Sequence, residues 1–476
     1  MFKLKTYKNQ KNNIETLVQI LFYTFPIAFI IGNAIVSAQS IIFTCIALFL
    51  ITKKKLTLRF DVSKWILIIF FLYLFLLTLI QFKYPGILWP KFLSEFEKLF
   101  GKAFILEHWH DVNGYPSFKA FLYLRFLLLV FVIDTLFYNK ILNLKKIFLS
   151  SFICTTFVSL DILLQYFSGK DIFGFTRQWR HNPGPFGDEL IAGTYLKNFS
   201  LFSFFYAYQN IKSKNNYFLV AVIVLHLVAT LVAGNRMPMI LLLFGCILTF
   251  LFLKSLRFLM SLSIIIFISI FFILANNDHY VRNPYIKIIN NINIFKIFES
   301  GNNEKIVEKK SNKMENNTDK ISNDIFLLRN SGHNRVWRSS IVIWKENLVT
   351  GSGLKSFRLK CINVIKRGEG KVQDVACGNH PHNYYLEILS EAGIIGLFLI
   401  LFFYTVILKN SFKRLVEFHR QSDQKFLLLL PVIITFIVEI WPLRSSGSFF
   451  TTWNATFFWI NVSLLFSFLN YHNKDN

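Results

Sequence analysis

A chain of 476 residues with 54% hydrophobic and 17% charged content, and a mean hydropathy of +0.45, is too apolar for a soluble domain of its length. Several apolar runs approach the ~20 residues that cross a bilayer core, which points to a polytopic helical membrane protein. The formal net charge of +25 fits lysine and arginine retained on cytoplasmic loops, and without a reading module it implies no nucleic-acid partner.

Residues 1–13 are polar and basic and run into a full-length apolar stretch, so the start reads as a cytoplasmic arm rather than a cleaved signal. Predicted spans cover roughly 15–32 and 34–52, joined at Gly32-Asn33, before Lys53, Lys54, Lys55 and Arg59. A third, about 64–82, exits to a loop near 83–116, and a fourth, about 117–138, returns to Lys140, Lys145 and Lys146. The fifth, about 147–167, leads out to the stretch Arg177 to Glu189, and the sixth, about 190–209, returns to Lys212 and Lys214. The seventh, about 217–233, ends at Gly234-Asn235-Arg236, and the eighth, about 238–253, precedes Lys254 and Arg257. The ninth, about 258–275, opens one large external segment, 276–384. Spans of about 385–408, 426–442 and 450–469 close the chain, with Lys409, Lys413, Arg414, Arg420 and Lys425 inside.

The pattern predicts an all-α polytopic membrane protein of about 12 transmembrane helices with both termini cytoplasmic. It divides into helices 1–9 over 1–275, the large loop over 276–384, and the last three helices over 385–476. Within the loop, 299–324 is rich in Asn, Lys, Glu and Asp and reads as solvated. From Ser331 to Phe357 the spacing of Val336, Trp337, Ile341, Ile343 and Trp344 predicts an amphipathic helix ended by Gly351-Ser352-Gly353. That helix is expected to lie against the membrane face and cover a cavity. Cys45, Cys154 and Cys246 fall in spans as packing residues, whereas Cys361 and Cys377 share the external loop, where an oxidising compartment favours a disulfide. No Cys or His spacing suggests a metal site.

On this topology Arg177, Arg180, Arg236, Arg335, Arg338, His333, His380 and His382 all fall on the outer side. A histidine at the mouth of a membrane helix is suited to proton transfer, and arginine forks match phosphate oxygens. Snorkelling to headgroups is the competing reading for Arg236, interfacial anchoring for the histidines, and helix capping for Asp188 and Glu189. Arg444 reads as interfacial. Glu387 and Glu391, one turn apart, either orient a histidine, bind a sugar hydroxyl or are solvated. A transporter would place charges deep in its spans, and Asp134 and Asp161 are the few candidates.

His382-Asn383, nine residues from Tyr384 to Ala392, and Gly393-Ile394-Ile395-Gly396 resemble the signature of the O-antigen ligase and polymerase superfamily. Gly184-Pro185-Phe186-Gly187, Gly234-Asn235-Arg236 and Trp344 to Gly353 are similar to further landmarks of that family, with the strongest resemblance over about 217–405. Leu397 departs from the Ser or Thr that often follows the motif. The resemblance implies a GT-C-like membrane glycosyltransferase of the bacterial inner membrane with a periplasmic active site. It implies His382 as catalytic base, or at least as the group that orients the acceptor hydroxyl, supported by Asn383, Glu387, Gly393 and Gly396. Arg236, Arg180 and Arg335 or Arg338 (Arg335 preferred) would bind diphosphate. The expected donor is an undecaprenyl-diphosphate-linked glycan, the acceptor a lipid A-core sugar or a second lipid-linked glycan, with no cofactor and no metal. A ligase is preferred over a polymerase, and a lipid-linked oligosaccharide flippase is the reading from another class.

Overall fold

The structure, a computed structural model, describes residues 2–81, 116–210, 216–291, 332–358, 360–361 and 376–469. The expected loop near 83–116 and the polar stretch 299–324 lie outside the described residues. Within them the chain is α-helical, with isolated bridges Lys170–Thr176 and Gln178–His181 as the only β contacts. Among the described residues, five helices are long and apolar enough to cross a membrane: Asn33–Lys54, Ala120–Tyr138, Leu144–Ser168, Lys254–Asn277 and Tyr384–Arg420. The chain is a helical membrane protein.

The first expected span is not one helix. It breaks at Thr24 into α1 (Phe2–Tyr23) and α2 (Phe25–Ile31), bent by 51°. Pro26 follows the break, and the Thr24 hydroxyl adds a bond at 2.8 Å to the Ile20 carbonyl, which also accepts the Thr24 N–H at 3.0 Å. Counted together, this pair brings the candidate spans to six, against the twelve expected. Val62–Leu77, Tyr217–Val232 and Arg236–Phe252 are shorter apolar helices.

The difference has a physical source. Helices α3 (Asn33–Lys54), α4 (Val62–Gln81), α5 (Pro116–Tyr123), α6 (Arg125–Tyr138) and α7 (Leu144–Ser168) are followed by α8 (Ala192–Asn210). Helices α9 (Asn216–Val232), α10 (Arg236–Phe252), α11 (Arg257–Asn277) and α12 (His279–Asn291) come next. After them stand α13 (Gly332–Glu346), α14 (Tyr384–Arg420), α15 (Lys425–Glu439) and α16 (Thr452–Leu469). Helix α8 packs on α7, α9, α10 and α15, and α16 packs on α3, α6, α14 and α15. Most residues of α8 and α16 are buried, including Lys197, Asn198 and Asn461. Helices enclosed by other helices tolerate polar residues that a lipid-facing surface excludes, so they read as less apolar than a span. Aromatic edges seal this interior: Phe29 of α2 meets Trp453 at 5.0 Å and Phe199 at 5.4 Å between ring centroids.

Both candidate transporter carboxylates have local partners. Asp134 is ion-paired with buried Lys64 at 2.5 Å, where α4 begins and α6 ends, and Asp161 accepts from the Ile172 backbone N–H at 2.8 Å. Cys154 and Cys246 are buried, whereas Cys45, expected in the packing, is exposed.

Candidate functional site

The turn before α14 is held by its own asparagine. Asn383 Oδ1 accepts from the backbone N–H groups of Tyr385 and Leu386 at 3.0 and 3.1 Å, an N-cap. Its Nδ2 donates to the Pro442 and Arg444 carbonyls at 2.8 and 3.1 Å, and the Tyr385 hydroxyl donates to the Ile440 carbonyl. The buried Glu387 accepts from the Ser448 hydroxyl at 2.5 Å and the Phe449 N–H at 2.7 Å. The 440–449 loop is therefore the platform on which the turn rests. His382, just ahead of the cap, takes a left-handed backbone at φ 60°, which costs about 1–3 kcal/mol for a residue other than glycine and is sustained by those bonds.

Nearly three turns beyond the cap, α14 is broken. Gly393 has φ 66° and ψ −167°, and the loop after α13 fills the gap. Ser352 N–H donates to the Ser390 carbonyl at 3.0 Å and Gly353 N–H to the Glu391 carbonyl at 2.7 Å. Beyond the break, Ile394 and Ile395 donate to the Leu348 and Val349 carbonyls at 3.1 and 3.3 Å. A Cβ on Gly393 would overlap the Val349 carbonyl, and one on Gly351 would overlap the Gly393 nitrogen. Two glycines thus let two backbones cross and satisfy each other's hydrogen bonds, as an interrupted helix in a membrane requires. Gly396 makes room for Tyr73, whose hydroxyl donates to the Ala392 carbonyl at 2.8 Å. Glu391 is fixed by the Lys355 N–H at 2.6 Å, so neither carboxylate of this helix is solvated.

Helix α13 lies across the turn. Its Ser340 hydroxyl donates to the Leu386 carbonyl at 2.9 Å, and Val336 and Ile343 form a small core with Phe357 and Cys361. Cys361 and Cys377 are joined by a disulfide with Cα atoms 5.7 Å apart, and Ser339 donates to the neighbouring Ala376 carbonyl at 2.9 Å. This packing brings three imidazoles together: His382 lies 4.2 Å from His380 and 5.2 Å from His333, centroid to centroid. Burial pushes His382 and His380 down to about 4, and neighbouring positive groups add to the shift: His380 and His333 around His382, Lys355 and His333 around His380. His382 is therefore neutral at pH 7 and able to accept a proton. Among the described residues, no group of three or more His, Cys, Asp and Glu side chains is arranged to hold a metal ion.

Arg236 opens α10 and gives one N–H to the Pro284 carbonyl at 3.2 Å. Its charge reaches His333, and Arg180 in turn acts on Arg236. Gly234 permits this approach, since a Cβ there would lie 2.6 Å from the Arg180 carbonyl oxygen. Asn182 ties the same loop to the Val232 carbonyl at 2.5 Å. Arg177 is instead paired with Asp278 at 3.3 Å, and exposed Asp188 accepts from Gln178 at 2.6 Å rather than capping α8. Arg335 is exposed and, two residues beyond His333 at about 100° per residue, projects from nearly the opposite side of α13. Arg338 is half-buried further along that helix. His333, rather than Arg335, faces His382.

Residues 221–401, from within α9 to within α14, match the model of the family described as O-Antigen ligase. Over this stretch, less than half of the chain, it is similar to the O-antigen ligase family. No curated protein matches the chain. The family carries glycosyltransferase activity of the ligase or polymerase type, on lipid-linked glycans at a bacterial membrane.

The O-antigen ligase domain holds His333, His380, His382, Arg236 and both glycines of the crossing, but its platform lies outside the match. Arg444, read from sequence as interfacial, is fully buried. Its guanidinium lies 3.8 Å over the Tyr384 ring, and it pairs with Glu439 at 2.8 Å. Glu439 is shared with buried Lys197 of α8. Sequence reasoning missed this triad because its members stand 242 and 5 residues apart in stretches that otherwise look like spans. The helical spacing of His333, Val336, Trp337 and Ser340 was the signal that could have put His333 at the site.

Proposed function

We propose that the protein is an O-antigen ligase-like glycosyltransferase. It moves a glycan from undecaprenyl diphosphate onto a lipid A-core sugar at the periplasmic face of the inner membrane, with both termini cytoplasmic. The observation that carries this reading is the neutral, half-buried His382 in contact with His333, which lies within reach of the Arg236 charge. Neither Arg236 nor Arg180 has a carboxylate partner among the described residues. In the proposed step the acceptor hydroxyl oxygen attacks the anomeric carbon while His382 takes its proton. The bond from that carbon to the diphosphate oxygen breaks, and undecaprenyl diphosphate leaves with the electron pair. Arg236 and Arg180 meet the charge that develops there. The activated lipid donor supplies the driving force, so the proposal includes no metal and no nucleotide.

The test is the lipopolysaccharide profile of a bacterial strain lacking the chain, complemented with wild type or His382→Ala, beside its lipid-linked glycans. Loss of all capped core, with long chains accumulating on the carrier and no rescue by His382→Ala, is the expected result. Core capped by a single repeat would replace the ligase with a polymerase, whose acceptor is a second lipid-linked glycan. Full rescue by His382→Ala would remove the catalytic role.

A further inference from the structure

Of the three clustered imidazoles, His333 is the one that both packs edge-on against His382, 5.2 Å between ring centroids, and feels the Arg236 charge. An anion held by Arg236 beside His382 would therefore lie against His333. We propose that His333 is a direct ligand of the anionic leaving group, and that donor binding is accompanied by protonation of its imidazole. This inference rests on the lipid-diphosphate reading above.

The groups around it set the sign. Arg236, at the start of α10, acts on His333 through its charge, while His382 packs against it and His380 interacts with it from the turn before α14. Lys355 adds positive charge next to His380. Glu387 is the carboxylate acting on this cluster through His382, and its oxygens are taken by Ser448, the Phe449 N–H and an ion pair with Lys355 at 3.6 Å. Burial and then the Arg236 charge hold His333 below its ordinary range, so it is neutral at pH 7. A diphosphate in hydrogen-bond reach brings opposite charge to the same place and favours the imidazolium, which donates from both ring nitrogens. The proton comes from solvent. A permanent cation at this position would bind the anion without any such uptake.

The experiment uses the full chain in lipid nanodiscs, with farnesyl diphosphate as the probe. Calorimetric titrations in buffers of different ionisation enthalpy count the protons taken up. Wild type is expected to take up protons at pH 7, with affinity falling about tenfold between pH 6 and pH 8. His333→Arg should bind with little pH dependence and lose the uptake, while His380→Gln keeps it. His333→Gln should bind at pH 6 no better than wild type at pH 8. Unchanged uptake in His333→Arg, or wild-type affinity of His333→Gln at pH 6, would overturn the inference and leave the diphosphate reading standing. A folded wild type that binds no farnesyl diphosphate at either pH would overturn both.

Discussion

Two polar clusters meet at the head of α14, and they are built by opposite rules. In the platform, Glu439 is shared by Lys197 and Arg444, Asn383 spends every polar atom on backbone, and Glu387 is bonded by Ser448 and Phe449. In the arc, Arg180 and Arg236 repel each other, His333, His380 and His382 are kept neutral by burial and nearby positive charge, and no carboxylate bonds to these five among the described residues. Buried charges that stabilise a fold are neutralised in place, because an unpaired one is costly. Positive groups left without a counter-charge mark where an outside anion belongs.

The largest expected effect separates the clusters by function. His382→Ala should lower transfer activity by about 10²–10⁴-fold, the range for a lost general base, with an unchanged melting temperature. A comparable loss of stability would move His382 into the platform. Glu439→Gln should do the reverse, destabilising the fold by about 3–5 kcal/mol because Lys197 and Arg444 remain buried with less compensation. Detergent-solubilised melting reads this directly, and a variant as stable as wild type would show that the triad is not anchoring the turn.

Gly393→Ala should cost at least about 1–3 kcal/mol, since a side chain there is strained at φ 66° and also meets the Val349 carbonyl. The same substitution at Gly396 meets the Ala392 side chain and Tyr73, and comparing the two melts ranks crossing against packing. Asn383→Ala should cost about 1 kcal/mol as a lost cap, and activity should fall more than stability because the His382 turn loosens. Equal losses would place Asn383 wholly in the fold.

The smallest effect is in pH. His382 stands near 4 in the fold against ~6.5 unfolded, so the unfolded chain binds more protons between those values. Its contribution to stability is therefore intact above pH ~6.5 and is lost as pH falls toward 4. The acid limb of kcat/KM should lie near pH 4, the free-enzyme value of the base. An acid limb at ~6.5 would mean that His382 is not desolvated in the working enzyme.

The amino-acid sequence alone determined the helical membrane class, the His-Asn and Gly-x-x-Gly motif, and the amphipathic character of α13, because periodicity and spacing are local properties of the chain. The family match over 221–401 agrees with that reading. Tertiary structure decided what those residues touch. It split the first span at Thr24, enclosed α8 and α16, turned Arg335 away and His333 inward, and buried Arg444 beneath Tyr384. It also gave the motif glycines their task, since Gly393 and Gly351 meet only when two helices' ends cross. Each of these depends on partners distant in sequence, whose approach is set by packing and by the need to pair every buried polar group, and neither leaves a period that the sequence displays.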